Sequence, residues 1–547
     1  MDNKELANLI FPDAKDYTYY EEKYPSRNLP EGAEVLRVAP SPTGFIHVGG
    51  LFQGIVARKM ADQTKGVFYV RIEDTDQKRE VENGAQEIVQ AFEDYDLVPD
   101  ETVNLDGTDR GAYGPYVQSK RKDIYQSYAK KLLEEGKAYP CFCSSEELET
   151  IRENQTKAQE RTGYYGKWAK CRNMPIDMAA ERIKSGAPFI VRLKSPGNPE
   201  KKIKHKDIIK GNIDFPENDQ DIVIIKSDGL PTYHFAHAVD DHLMGTTIVT
   251  RSDEWVSSIP LHLQLFAMLG FKTPKYAHTA PLMKQDGDSK RKLSKRKDPE
   301  AAVSYYTEEG IPKESVKEYL LNIANSNFEG WRKGNKTADL SEFAFDLRKM
   351  GVSGALFDMV KLLDVSKGVI SRFSGEEVLN RVLSWSERFD KELYDLIVKD
   401  KDYALKVFSI ERGNEKPRKD IAKWSEVKNA ICYMYKEEFD KVTDFEYQKI
   451  TDKEEIKKIV AEYISNYYDA SDDKQTWFDK MKDLAEKLGY SREVKEYKQN
   501  PDKYKGHVGD ISTVIRVSLT GRANTPDLYE IMNVLGEDVV KERLSRI

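Results

Sequence analysis

From residue 35 onward the hydrophobic pattern spells out a βαβ unit. The run VLRVA at 35–39 has the apolar, β-branched density of a strand, and PSPTG at 40–44 follows it as a turn. From Gly49 to Lys65, Leu51, Ile55, Val56 and Met60 fall on one helical stripe, and the next apolar run is VFYVRI at 67–72. Two more β-branched runs, DIVIIK at 221–226 and TTIVTR at 246–251, are separated by helical stretches and predict further strands of the same parallel sheet. Between them and the βαβ unit, from about Lys137 to Pro216, polar and cysteine-bearing segments predict an insertion. Beyond Pro299 strand signals fade and amphipathic helices take over, as in SVKEYLLNIANS (315–326) and EVKNAICYMYKEEFDKV (426–442). The first 36 residues, rich in Tyr, Asp, Glu and Lys, read as an appended arm with no chemistry of their own. The fold class is therefore α/β in front and α behind.

Length and charge narrow this picture. At roughly 150 residues per domain, 547 residues predict three to four domains. The 33% charged and 39% hydrophobic residues are an ordinary globular balance, which excludes wholesale disorder. No apolar stretch nears the roughly 18 residues needed to cross a bilayer, and the N-terminus carries neither a basic nor an apolar leader region, so the expected compartment is the cytoplasm. The net charge of −7 provides no global attraction for nucleic acid, so any such contact must come from local basic patches. The Lys/Glu mixture of the C-terminal half reads first as solvated helix faces.

Three segments carry candidate chemistry. In PSPTGFIHVGGLFQG (40–54) a strand ends in a turn and a helix begins just after His47, where Gly49 and Gly50 leave the backbone N–H groups open to phosphate. No GxGxxG is present, so a nicotinamide cofactor is not implied. Taken alone, the glycine pair reads equally well as tight helix packing. In KQDGDSKRKLSKRKDP (284–299), seven Lys/Arg lie between Lys284 and Lys297. Lys292 and Lys295 offer point charges and Ser294 a hydroxyl to a polyphosphate, although composition alone favours a basic surface tract. Finally, Cys141, Cys143 and Cys171 are three of only four cysteines and form a candidate zinc site needing a fourth ligand, which Tyr164 or Tyr165 could supply. Reduced thiols without metal are the competing reading. Cys432, in AICYMY, reads as a core residue.

RVAPSPTGFIHVGG, RIEDTD (71–76), SDGLPTYHFAHAVDDHLMG (227–245) and KLSKR (292–296), in that order, resemble the bacterial-type glutamyl-tRNA synthetases. HVGG is similar to the HIGH signature of class I synthetases and KLSKR to their KMSKS loop, while 514–544 resembles the family's helical anticodon-binding region. The resemblance implies a Rossmann catalytic domain at 37–136 and 217–285, split by an acceptor-binding insertion at 137–216. A KMSKS loop and stem-contact region would follow at 286–380, and an all-α anticodon-binding region at 381–547, with 1–36 as an N-terminal extension. It implies glutamate activation by ATP with Mg²⁺, then transfer to the 3′ end of tRNA(Glu) by a monomer, with charging of tRNA(Gln) left open.

By the same resemblance His47, Lys292 and Lys295 are the catalytic cations, and ATP is bound by Thr43, Gly44, His47, Gly49, Gly50, Lys292, Ser294 and Lys295. Glutamate would be held by Arg37, Ala39, Ser41, Glu73, Tyr233, His237 and Arg251, with the two arginines taking carboxylates and Glu73 the ammonium. His237 departs from the family pattern, where many members carry asparagine. Some members hold zinc with a CxC pair, a Tyr-x-Gly element and a later cysteine, which Cys141, Cys143, Tyr164 and Cys171 resemble with a longer Tyr-to-Cys gap. Other readings stay open: a glutaminyl-type enzyme, a truncated relative that modifies a tRNA base, an inactive synthetase-like tRNA-binding protein, and a generic nucleotidyltransferase.

Overall fold

Four apolar stretches pair as a parallel sheet in the computed structural model, which describes residues 1–44, 46–76, 81–294 and 296–547. The strands are Val35–Val38 (β1), Val67–Val70 (β2), Ile248–Ser252 (β3) and Lys275–Thr279 (β4), in the order β4-β3-β1-β2. The predicted crossover from β1 to β2 is the helix Val48–Thr64 (α1), closed by Lys65 in the left-handed conformation. Two helices, Tyr233–Leu243 (α2) and Ile259–Leu269 (α3), flank β3 in sequence, and both contribute to the core that also holds Val35 and Tyr69. Arg37 and its register partner Tyr69 share one face of the sheet, and both reach Asp241 on α2. The site is built on these elements.

The strand expected in DIVIIK belongs elsewhere. Val223–Ile225 pairs antiparallel with Ile190–Leu193, which pairs in turn with Ala138–Cys141. This three-stranded sheet carries the insertion past the boundary expected at 216, because a short apolar run does not specify its pairing partner. A separate hairpin, Lys202–Asp207 with Gly211–Pro216, completes it. Residues 1–36 are likewise no loose arm. The helix Asn3–Ile10, started by an Asp2–Glu5 capping box, buries Leu6 against Cys141, Tyr164 and Cys171, while Ala7, Phe11, Tyr20 and Tyr24 enter the core shared with Tyr128 and Phe235. Boundary 36/37 falls inside β1.

Contacts divide the chain into two compact units: residues 1–305 with 317–358, and residues 306–316 with 359–547. The boundary expected at 380 falls inside the helix Gly375–Phe389. The second unit is helical, built around Trp424, Tyr463, Trp477, Ile515 and Ile531. Its predicted helix at 426–442 is broken: Val427–Ile431 is α-helical, Cys432–Met434 forms a tighter turn, and Lys436–Phe439 resumes. The break is satisfied from outside, since the Arg543 guanidinium donates to the Tyr433 carbonyl (2.7 Å) and the Tyr403 hydroxyl to that of Met434 (2.6 Å). Cys432 is only half-buried there, within 3.4 Å of Arg522, because the break turns it off the core.

Candidate active site

His47 ends the turn after β1 and starts α1 by accepting the Gly49 N–H on its Nδ1 at 2.9 Å. That bond assigns the proton of the neutral ring to Nε2, a donor suited to a phosphate oxygen. A Cβ at Gly49 would lie 3.1 Å from His47 Nδ1, and one at Gly50 3.1 Å from the Ile46 side chain. Both glycines thus serve this close turn, and their N–H groups are not open to phosphate as the sequence suggested, because that of Gly49 is taken by the His47 ring and that of Gly50 by the His47 carbonyl (2.7 Å). Thr43 is exposed and Gly44 is in the left-handed region at φ +119°. His47, Gly49 and Gly50 line a cavity of about 370 Å³ whose opposite wall includes Glu254, Thr279, Lys292 and Leu293. A nucleotide-sized space therefore opens beside a helix N-terminus, at the carboxyl ends of β3 and β4.

The basic segment is a hairpin, Leu282–Asp286 with Ser289–Lys292, rather than an unstructured loop. Its root is Asp298, which accepts two bonds from Arg291 (2.6 and 2.8 Å), one from the Ser294 backbone (2.9 Å) and an ion pair from Lys284 (3.1 Å). Arg291 holds the Asp298 carboxyl well below the usual range. Lys292 is exposed and reaches Glu254 at 2.9 Å. Ser294 is half-buried, and Lys295 lies outside the described residues.

Arg251 precedes the lining residue Ser252 on β3, Arg37 lies on β1, Glu73 follows β2 and Tyr233 opens α2. Arg37 is buried and paired with Asp241 at 3.2 Å. Removing one partner of such a pair leaves a buried charge, which costs about 3–5 kcal/mol. Arg251, by contrast, pairs with no carboxylate among the described residues: its Nε donates to His278 Nε2 (3.0 Å), its Nη2 to His262 Nδ1 (3.1 Å), and its Nη1 to the Tyr233 hydroxyl (3.4 Å). The Tyr233 ring packs on Trp255 at 4.3 Å between centroids. Glu73 is buried, and burial pushes its carboxyl up to about 7. Arg71 touches it at 3.2 Å, but Arg71 is answered more closely by Asp241 (2.7 Å), so Glu73 is left undercompensated. Ala39 is half-buried and Ser41 exposed at the same strand end.

Residues 35–360 match the family described as tRNA synthetases class I (E and Q), catalytic domain, and residues 495–547 match an anticodon binding domain. The glutamate–tRNA ligase of Clostridium perfringens (strain 13 / Type A) is 52% identical over 547 residues, covering all of both chains. This chain belongs to the glutamate–tRNA ligase family. The relative from Sorangium cellulosum (strain So ce56) is 44% identical over 98% of this chain and 99% of its own. In fold, a glutamate tRNA ligase from Elizabethkingia meningosepticum CCUG26117 superposes with a TM-score of 0.72 at 24% identity, over 94% of this chain and 98% of that one. Among the described residues no helix is long and apolar enough to cross a membrane.

Within this glutamate–tRNA ligase family member, the His237 ring stacks beside that of Tyr233, with centroids 6.0 Å apart. It is fully buried, and its ring bonds Asp241 (2.9 Å) through Nδ1 and Tyr276 (3.0 Å) through Nε2. Burial holds it at about 4, so it is a neutral support for the Arg37–Asp241 pair. Sequence reasoning also passed over Arg71, Asp240 and Asp241. Asp240 accepts from Arg121 (2.7 Å), Gln118 (2.9 Å) and Tyr125 (2.8 Å), so two adjacent aspartates in a buried helix anchor three arginines. Two acids inside the apolar helix HFAHAVDDHL were the available signal, because such charges are buried only when paired.

The cysteines converge. Cys141, Cys143 and Cys171 place their sulfurs within 4.8 Å of one another, with Cys143 and Cys171 at 3.7 Å. Zn–S bonds of about 2.3 Å in a tetrahedron set sulfurs about 3.8 Å apart. The Tyr164 hydroxyl lies 3.4 Å from Cys141 and 3.2 Å from Cys143, whereas that of Tyr165 donates to the Arg161 carbonyl. Of the two tyrosines, Tyr164 is the one at the cluster, and the donor set fits zinc.

Proposed function

We propose that this chain is a glutamate–tRNA ligase that makes glutamyl-adenylate from glutamate and ATP and passes the glutamyl group to the 3′-terminal adenosine of tRNA(Glu). The observation that carries this reading is adjacency. Ser252, Glu254 and Thr279 line the nucleotide cavity, and their neighbours Arg251, Trp255 and His278 build the amino-acid side. In the first step an α-carboxylate oxygen bonds the α-phosphorus while the bridging P–O bond breaks, and pyrophosphate leaves with that electron pair. His47 Nε2–H and the Lys292 ammonium meet the charge that develops on the phosphates. Glu254, the carboxylate of the described lining, would hold a nucleotide-bound Mg²⁺, which would neutralise phosphate charge. In the second step the ribose oxygen bonds the acyl carbon as its proton passes to a phosphate oxygen of the adenylate, and AMP departs with the electron pair of the broken acyl C–O bond.

Glutamate is recognised through its charges: Arg251 and Arg37 for the carboxylates, Glu73 for the ammonium, with Tyr233 closing the pocket. Glu73 makes this pH-dependent. Its carboxylate form binds the ammonium, and from a midpoint of about 7 the ionised fraction rises about tenfold between pH 6 and 8. The KM for glutamate falls by about that factor over this range, and Glu73→Gln both raises KM and flattens the profile; a profile that keeps its slope in the variant assigns the titration to another group.

In the helical unit, a cavity of about 650 Å³ is lined by Asn429, Tyr433, Arg522 and Asn524 and also by Glu411, Asp420 and Glu426, with Arg418 paired to Asp420; its ring, amides and Arg522 support anticodon reading, since splayed bases take stacking and amide or guanidinium bonds. Three sulfurs and Tyr164 support a structural zinc. Protein purified without chelator carries about one zinc per chain, and Cys143→Ser lowers both that stoichiometry and Tm. A zinc content near zero reduces the cluster to thiols.

Aminoacylation with labelled glutamate and separate tRNA(Glu) and tRNA(Gln) transcripts tests the activity. Charging of the first alone is a discriminating ligase, and charging of both leaves a product for an amidating partner. Tight tRNA binding with no charging of either overturns the reading in favour of a tRNA-binding protein.

A further inference from the structure

The two arginines of the amino-acid pocket are held in opposite ways. Arg37 faces the Asp241 carboxylate, which answers its charge. Arg251 is held by imidazoles, and the directions of their bonds form a consistent chain. Asp207, at the tip of the insertion hairpin, accepts the Nδ1–H of His278 at 2.6 Å, which leaves His278 Nε2 as a lone pair facing the Arg251 Nε–H. On the other side His262 Nδ1 accepts from Arg251 Nη2, so its proton sits on Nε2 and is donated to His234 Nδ1 at 2.9 Å. Arg251 and His278 are register partners on β3 and β4, and Tyr276 lies beneath the guanidinium at 4.9 Å. His262, His278 and Asp207 are all buried.

We propose that His262 and His278, the latter oriented by Asp207, are positioning residues that aim Arg251 at a substrate carboxylate while leaving its charge unneutralised. This rests on Arg251 binding glutamate. A carboxylate in place of either imidazole would hold the guanidinium as firmly but compete with the substrate for its charge. Neutral lone pairs fix two edges of the fork and leave Nη1, bonded only by the long contact to Tyr233 among the described residues, for the ligand. Burial keeps these rings neutral, lowering the His262 and His278 pKa values with Arg251 adding to the effect. Asp207 is itself fixed, because its Oδ1 accepts the N–H groups of Ile209 and Lys210 at 2.9 Å.

The fixed oxygen makes Asp207→Asn informative. The backbone donors keep the amide oxygen at Oδ1, so the amide nitrogen faces His278 Nδ1 and donates to it. The imidazole proton then moves to Nε2, against the Arg251 Nε–H. In aminoacylation assays at varied glutamate and varied ATP, Asp207→Asn and His262→Leu each raise the KM for glutamate about 10–100-fold, leaving the KM for ATP within about twofold and Tm near that of the parent. His262→Gln, which keeps an acceptor, recovers part of the loss. Arg251→Gln serves as the control. If it leaves the KM for glutamate unchanged, Arg251 does not bind glutamate and the pocket assignment fails. If it raises KM while Asp207→Asn and His262→Leu do not, or if these raise both KM values together, the cradle is overturned and the pocket stands.

Discussion

Lys292→Ala lowers the rate of adenylate formation about 10²–10³-fold, equivalent to about 2.7–4 kcal/mol of transition-state stabilisation. Lys292 stands on the wall of the nucleotide cavity opposite His47, on a hairpin whose root is locked by Asp298. Its carboxylate partner among the described residues, Glu254, is as exposed as the lysine itself. An exposed pair of this kind contributes at most about 1 kcal/mol, so the ammonium exchanges it readily for phosphate, and the fold does not depend on it. Rapid-quench measurement of adenylate in a single turnover reads the effect, and an unchanged rate removes Lys292 from the chemistry. Circular dichroism of the variant should match that of the parent.

Arg251→Gln lowers kcat/KM for glutamate about 10³-fold, or about 4 kcal/mol, and leaves ATP affinity intact. The size follows from what remains behind: a glutamate carboxylate, desolvated in the pocket, loses its charge-assisted bonds and finds a neutral amide. The same logic predicts that glutamine is rejected, because its amide side chain leaves a buried guanidinium with poor acceptors. Initial rates at saturating ATP and varied glutamate provide the number. Equal losses toward glutamate and ATP would indicate a damaged fold instead.

The βαβ unit, the His47 turn and the cysteine cluster were legible in sequence because each is local: a stripe, a turn or a spacing within a few tens of residues. What was missed depends on partners distant in the chain. DIVIIK has the composition of a parallel strand, yet Val223 pairs antiparallel with Arg192. The helix expected at 426–442 breaks because Tyr403 and Arg543 satisfy its carbonyls. Arg37 and Arg251 looked alike as strand-end arginines, and only the fold shows one facing Asp241 and the other facing imidazoles. One signal was available. Five of the eight histidines, His234, His237, His242, His262 and His278, fall between 234 and 278, and the three that are buried, His237, His262 and His278, need hydrogen-bond partners.

The first helix has a consequence for how the molecule opens. Asn3–Ile10 places Leu6 in the core of the cysteine cluster and Ala7 in the core beneath the parallel sheet, and the Met1 amine meets Asp177 at 3.1 Å. Adjacent residues of one short helix therefore belong to two hydrophobic clusters. Fraying of this end exposes both at once, which joins the insertion and the sheet in a single cooperative opening unit. In native-state hydrogen exchange, amides around Cys141 and around Tyr128 would then share one opening free energy, set by the segment that the sequence pattern alone marks as an appendage.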